Sequence, residues 1–249
     1  MASSTDSAPA PAAPPRAPVA RRRPSLLRQT LWLLWKDLQV EVRTREIVYT
    51  MVVFAVLVVL VFSFAFVREG QAPPDVAAGI LWIATAFAGT LGLGRALDRE
   101  REGDTLRALL LTPADRSAVY LGKLGAIVVY MLLCEAVVAP LVMLLFDAPF
   151  AARPGTLAAL LLLGTIGFAA IGSLFAAMLL RARSRDVLLA IVLYPLIVPV
   201  IIAGVLGTVA IGHVPPQDAD ARMWLKLLGV FDVVFVTLSL WIFEPLLSD

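Results

Sequence analysis

Charge, cysteine and histidine are all scarce in this 249-residue chain. Charged residues make up 16% of it, against about a quarter in ordinary soluble domains. Hydrophobic residues make up 60%, and mean hydropathy is +0.87. A soluble domain of this length needs polar surface that this composition does not supply, so the chain reads as a polytopic membrane protein. The single cysteine excludes an internal disulfide framework, and the single histidine leaves too few ligands for a His/Cys metal site. No GxxxxGK[ST] phosphate loop occurs; the nearest fragment, Gly122-Lys123, lacks the upstream glycine. If ATP powers this protein, another chain binds it. A formal net charge of +2 gives no reason to expect a nucleic-acid partner.

What is present begins with a tail. Residues 1–24 are rich in Ala, Pro and Ser, a composition that favours disorder. Arg21-Arg22-Arg23 invites a twin-arginine export reading. The segment after it is interrupted by Arg28, Lys36 and Asp37 and offers no clean apolar core, so a basic cytoplasmic tail is the better reading. Ser25 then suits a helix N-cap. Leu27, Leu31, Leu34 and Leu38 recur at helical spacing, with Trp32 and Trp35 nearby and Arg28, Lys36, Asp37, Glu41, Arg43 and Arg45 at polar positions. Residues 25–46 therefore read as an amphipathic helix lying in the headgroup layer, too charged to span.

Six apolar stretches follow, each near the roughly 20 residues that cross a bilayer. They run approximately over 47–67, 76–97, 119–146, 156–180, 187–212 and 228–247. With the N-terminus inside, seventeen Lys and Arg fall in cytoplasmic pieces. Only Arg68, Arg153, Arg222 and Lys226 fall in outer loops, so both termini are expected in the cytoplasm. The outer loops are short and contain Pro, leaving no room for an external domain, and no internal repeat is visible. The expected fold is all-α and integral to the membrane: six spans and an N-terminal interfacial helix.

One cytoplasmic connection stands out. The second span runs without a loop into the charge cluster Arg95, Asp98, Arg99, Glu100, Arg101 and Glu102. Gly103 can end that helix and Asp104 can cap another. In residues 105–111, Leu106, Leu109 and Leu110 share one side at i, i+3 and i+4. Thr112-Pro113-Ala114-Asp115 resembles a capping box with proline at the first helical position, restarting the chain toward Arg116 and the third span. A short amphipathic helix between rigid turns suits a groove on a soluble partner. The plainer alternative is a solvated loop whose alternating charges satisfy one another.

Inside the spans, Gly89, Gly92 and Gly94, with Gly164, Gly167 and Gly172, leave smooth helix surfaces for close packing within the chain or against a second copy. Glu135 lies near the middle of the third span, where a carboxylate is costly and seldom faces lipid. It reads either as a polar contact to substrate or partner, or as a hydrogen-bonded structural group. Cys134 reads as a small apolar filler. Asp232 and Glu244 are expected near the ends of the last span, reaching the interface. Pro140, Pro195 and Pro199 should bend their helices, and Tyr194-Pro195-Leu-Ile-Val-Pro199 reads as a hinge or as a bend held by packing. His213 sits at the outer edge of the fifth span, where a surface role outweighs metal ligation.

Several of these residues also form a pattern. Trp82-x-Ala84, Phe87-Ala-Gly89-Thr-Leu-Gly-Leu-Gly-Arg95, Asp98 to Glu102, Leu109-Leu-Leu-Thr-Pro113 and Arg116-x-x-x-Tyr120-x-Gly-Lys123 resemble the CcmB family, haem exporter protein B of the cytochrome c maturation system. Trp35-Lys36-Asp37-Leu38 with Arg45-Glu46, and Tyr194 to Pro199, resemble that family as well. The likeness covers nearly everything after the tail, which is longer than the family leads one to expect. It implies one ABC exporter-type permease domain over residues 25–249, in a bacterial inner membrane. It implies a separate ATPase, CcmA, carrying ATP and Mg, with CcmC and CcmD as membrane partners and CcmE as the haem chaperone served. Haem would be handled by the complex, with no cofactor resident in this chain. The cargo is either haem itself or haem-loaded CcmE released by ATP hydrolysis. Arg95 to Arg116 and the interfacial helix around Trp35, Lys36 and Asp37 would dock the ATPase. Two other readings stay open: an export permease for a lipid, glycan or drug, and a passive membrane scaffold.

Overall fold

The computed structural model describes residues 24–66, 74–102, 115–178 and 185–246. The tail, the segment 103–114 with Leu106, Leu109 and Leu110, and the connection 179–184 lie outside the described residues. Seven α-helices occur among the described residues: α1 (Leu26–Thr44), α2 (Glu46–Phe66), α3 (Pro74–Glu102), α4 (Arg116–Phe146), α5 (Pro154–Met178), α6 (Arg185–Gly212) and α7 (Asp218–Leu246). No strand occurs there, and α2 to α7 are each long and apolar enough to cross a bilayer. The chain is an all-α, multi-pass membrane protein.

The order of burial follows the side chains. α3 and α5 are the most enclosed spans, while α2 and α7 keep broad apolar faces outward. Small residues on α5 make this possible. A Cβ on Gly172 would fall 2.3 Å from Leu93 of α3, and one on Gly164 would fall 2.3 Å from the Trp82 ring. Gly89 and Gly92 of α3 are likewise pressed from within the chain, by Met131 and Phe168 and by Met51 respectively. Their smooth surfaces are thus occupied and not offered to a second copy. Gly94 differs: nothing among the described residues lies within 4 Å of where its Cβ would stand.

Several expected boundaries move. Ser25 holds the N-cap position of α1, but its side chain caps nothing; its carbonyl accepts the Gln29 N–H at 3.1 Å. The expected apolar stripe of α1 also divides. Leu34 and Leu38 pack on the core, whereas Leu27 and Leu31 are 72% and 61% exposed. Apolar residues also stand outside that stripe, at Leu26, Trp32, Leu33 and Trp35, so heptad-like spacing alone did not identify the buried face. α4 begins at Arg116, with Asp115 as N-cap accepting the Ser117 N–H at 2.9 Å, and not at Pro113. An aspartate satisfies an orphan N–H directly, so the helix start falls three residues later than expected.

The largest correction concerns the last span. Its helix starts at Asp218, ten residues before the expected 228, and takes up most of the stretch read as an outer loop. Asp218 and Asp220 suit the first turn of a helix, where the dipole favours negative charge, and Ala221 is buried. Arg153 clamps this end through a two-pronged bond to Asp218, at 3.0 Å in each arm. That bond raises the guanidinium pKa above its ordinary value. Lengthening α7 also moves Asp232 to mid-helix. It is 6% exposed and lies against Gly167, with no hydrogen-bond partner among the described residues, and does not reach an interface.

Candidate functional site: a charged clasp at one end and a buried carboxylate between the spans

At one end of the bundle α1 is fastened across three spans. Glu41, near its C-terminus, is only 5% exposed. Its Oε2 accepts from Arg99 Nη2 of α3 at 2.9 Å, and its Oε1 accepts the Val48 N–H of α2 at 2.9 Å. The same Arg99 nitrogen also donates to Thr44 Oγ1 at 3.0 Å. Each bond has a chemical reason. A carboxylate removed from water must have its lone pairs satisfied, and the first N–H groups of α2 have no partner inside their own helix. Arg95 reaches Glu46 more loosely, at 3.7 Å and half exposed.

A second fastening joins α1 to α4. Asp37 pairs with Lys36 and Lys123 at 3.1 Å each, and the Tyr130 O–H donates to the Asp37 carbonyl at 3.1 Å. Gln29 accepts the Asp115 N–H at 2.9 Å beside the start of α4. The helices come this close because α4 carries Gly122 and Gly125 opposite Leu33 and Leu34; a Cβ on Gly122 would stand 2.9 Å from Leu33 Cβ. Gly122-Lys123, noticed in the sequence as a broken phosphate loop and as part of the family pattern, thus supplies one close approach and one counter-charge.

The sequence-predicted residues therefore divide. Arg95, Arg99, Asp37 and Lys36 meet in or beside this clasp. Trp35 is 62% exposed on the outward face of α1. Asp98 and Arg116 are both half-buried and both engaged. Glu100, Arg101 and Glu102 continue α3, while Leu106, Leu109 and Leu110 lie outside the described residues. Glu41 was read as one polar position among six. What marks it is that it precedes the α1–α2 break at Arg45, where the backbone turns left-handed (φ 54°).

Between the spans, Glu135 of α4 is 2% exposed. Its Oε1 accepts the Thr165 O–H of α5 at 2.6 Å, while Oε2 has no partner among the described residues. The carboxyl lines a cavity of about 330 Å³ with Ala139, Pro140, Phe150, Pro154 and Leu161. Cys134 beside it is a buried free thiol. Trp82 forms a second polar junction, donating through Nε1 to Thr208 Oγ1 at 2.9 Å across α3 and α6. Tyr194, just before Pro195, meets Thr90 Oγ1 through its hydroxyl at 3.3 Å and packs on the Phe87 ring at a tilt of 57°. Pro195 and Pro199 lie inside the unbroken helix α6. His213 is exposed, and no group of three His, Cys, Asp or Glu that could hold a metal occurs among the described residues.

Two long helices, α3 and α4, are thus bound to one amphipathic brace near the end of the first and the start of the second. Residues 28–245 match the family described as CcmB protein. The chain is 28% identical over 162 residues to heme exporter protein B of Pseudomonas aeruginosa, covering 65% of this chain and 72% of that one. It is 30% identical over 172 residues to heme exporter protein B of Rhodobacter capsulatus, covering 69% and 78%. It is 26% identical over 209 residues to heme exporter protein B of Haemophilus influenzae, covering 84% and 92%.

Proposed function

This chain belongs to the CcmB protein family, and we propose that it is the membrane permease subunit of a haem-exporting ABC complex. On this reading it hydrolyses nothing itself, and a separate ATPase subunit, CcmA, binds ATP and Mg. The α1 end of the bundle faces the cytoplasm, as the excess of Lys and Arg there favours, in a bacterial inner membrane. CcmC and CcmD are its membrane partners, and CcmE receives the haem.

The observation that carries the mechanism is the Glu41–Arg99 bond, with its companion between Asp37 and Lys123. The connection 103–114 leaves α3 and returns to α4, and both helices are tied to α1 close to where it does so. A force applied to that connection by a closing ATPase dimer is then delivered to α1, α3 and α4 together. Leu106, Leu109 and Leu110 would seat in the ATPase groove, with Arg95 to Glu102 and Arg116 at its rim and Trp35 beside them. Tilting α4 against α5 works on the Glu135–Thr165 contact, and α6 accommodates the movement at Pro195 and Pro199. The cargo is either haem or the haem-loaded chaperone released from the complex. The lone exposed histidine favours a chain that does mechanical work over one that holds haem.

A gentle-detergent pulldown of the full chain from its native membrane tests this. The expected co-eluting proteins are an ATPase and a tryptophan-rich haem-handling membrane protein. An ATPase alone would remove haem from the account and leave an exporter of lipid, glycan or drug. No ATPase at all would leave a scaffold.

A further inference from the structure

In the corner where α1 turns into α2 and both meet α4 there is a cavity of about 450 Å³. Leu38 and Val42 of α1, Val48 and Val52 of α2, and Leu133 of α4 make its walls apolar. Glu41, Arg45, Tyr49 and Tyr130 supply its polar edge. Two of these four are already engaged, Glu41 by Arg99 and Val48 and Tyr130 by the Asp37 carbonyl. Arg45 is exposed, and its guanidinium has no ion-pair partner among the described residues. Its backbone holds the left-handed conformation, φ 54°, which an L side chain seldom adopts. A cation near a helix C-terminus is favoured by the dipole alone, but that requires neither a left-handed residue nor an apolar cavity beside it.

We propose that this corner is a binding site for an anionic phospholipid. One acyl chain lies between Leu38, Val48 and Leu133, and the phosphate rests on the Arg45 guanidinium with the Tyr49 hydroxyl at the rim. The surroundings are those of a leaflet surface. Val42 and Tyr49 flank the cavity, each 70% exposed, and the outward face of α1 bears Leu27, Leu31 and Trp35. An amphipathic helix of this kind places its cations at headgroup level and its apolar face among the acyl chains. A phosphodiester supplies the missing anion for Arg45, and a hydrocarbon tail supplies the missing contacts for the cavity walls. A neutral lipid would satisfy only the second need.

The test uses the full chain in mild detergent, offered phosphatidylglycerol and phosphatidylcholine with matched acyl chains, with retention read by native mass spectrometry. The wild type should retain phosphatidylglycerol preferentially. Arg45→Gln should lower that preference about fivefold, the weight of one cation at an anionic surface, and Arg45→Lys should preserve it. Arg45→Gly removes the same charge while relieving the backbone, so a loss it shares with Arg45→Gln does not come from misfolding. Val48→Trp should fill the cavity and lower retention of both lipids. Equal retention of the two lipids by the wild type would overturn the proposal, as would an unchanged preference in both Arg45→Gln and Arg45→Gly. Unchanged retention in Val48→Trp would overturn the seat assigned to the acyl chain.

Discussion

Glu41 illustrates how one buried charge can organise its neighbours. Its carboxylate is satisfied by a guanidinium and a backbone N–H from two different helices, so losing either leaves lone pairs without water. Arg99→Met should therefore destabilise the bundle by about 2 kcal/mol, the range for a charged hydrogen bond lost from a part-buried site. Arg95→Met, at the looser and more exposed pair, should cost less than about 1 kcal/mol. Thermal unfolding of both variants in the same detergent gives the comparison, and equal losses would contradict the ranking. Between the spans, Thr165→Val removes the Thr165 bond to Glu135 Oε1 and should cost about 1–3 kcal/mol. Glu135→Gln keeps an acceptor at that position and should cost less than Thr165→Val in the same assay.

Among elements, α3 and α5 illustrate how glycine spacing sets distance. Gly164 of α5 and Gly204 of α6 both face the Trp82 ring, at 2.3 and 2.4 Å from where a Cβ would stand. Gly204→Ala should overpack this junction and cost about 1–3 kcal/mol. Gly94→Ala, with open space at its Cβ, should be neutral or stabilising by up to about 1 kcal/mol through helix propensity. Heat-induced loss of the monodisperse peak on size exclusion distinguishes the two. This is also the scale at which the sequence was most legible and then stopped being so. Runs of about 20 apolar residues define spans because hydrocarbon leaves the backbone no other option, so all six were found. Where charge enters a helix the signal fails. Arg222 and Lys226 made the first turns of α7 read as loop, and Asp232 was consequently placed at an interface it does not reach. Which face of α1 is buried depended on Gly122 and Gly125, which are distant in sequence and carry no periodic signal in α1 itself.

At the scale of the whole molecule, the proposed division of labour makes this chain a transmission between a soluble motor and its membrane partners. The clasp residues were visible in the sequence as charges, but their pairings were not: Glu41 and Arg99 lie 58 residues apart, and charge alternation along α3 offered nearer partners. A transmission can fail at its input or at its linkage, and the two failures differ. Arg99→Met should lower cytochrome c maturation far more than it lowers the amount of ATPase bound, because the force arrives at a loosened brace. Replacing Leu106 and Leu109 with glutamate should leave the chain inserted and lose the ATPase itself. The decisive measurement is therefore the amount of ATPase co-purifying with the Leu106→Glu, Leu109→Glu variant from membranes that contain it at wild-type level. The account predicts loss of the ATPase together with loss of mature cytochrome c. Full retention of the ATPase would contradict it and move the docking surface away from the connection between α3 and α4.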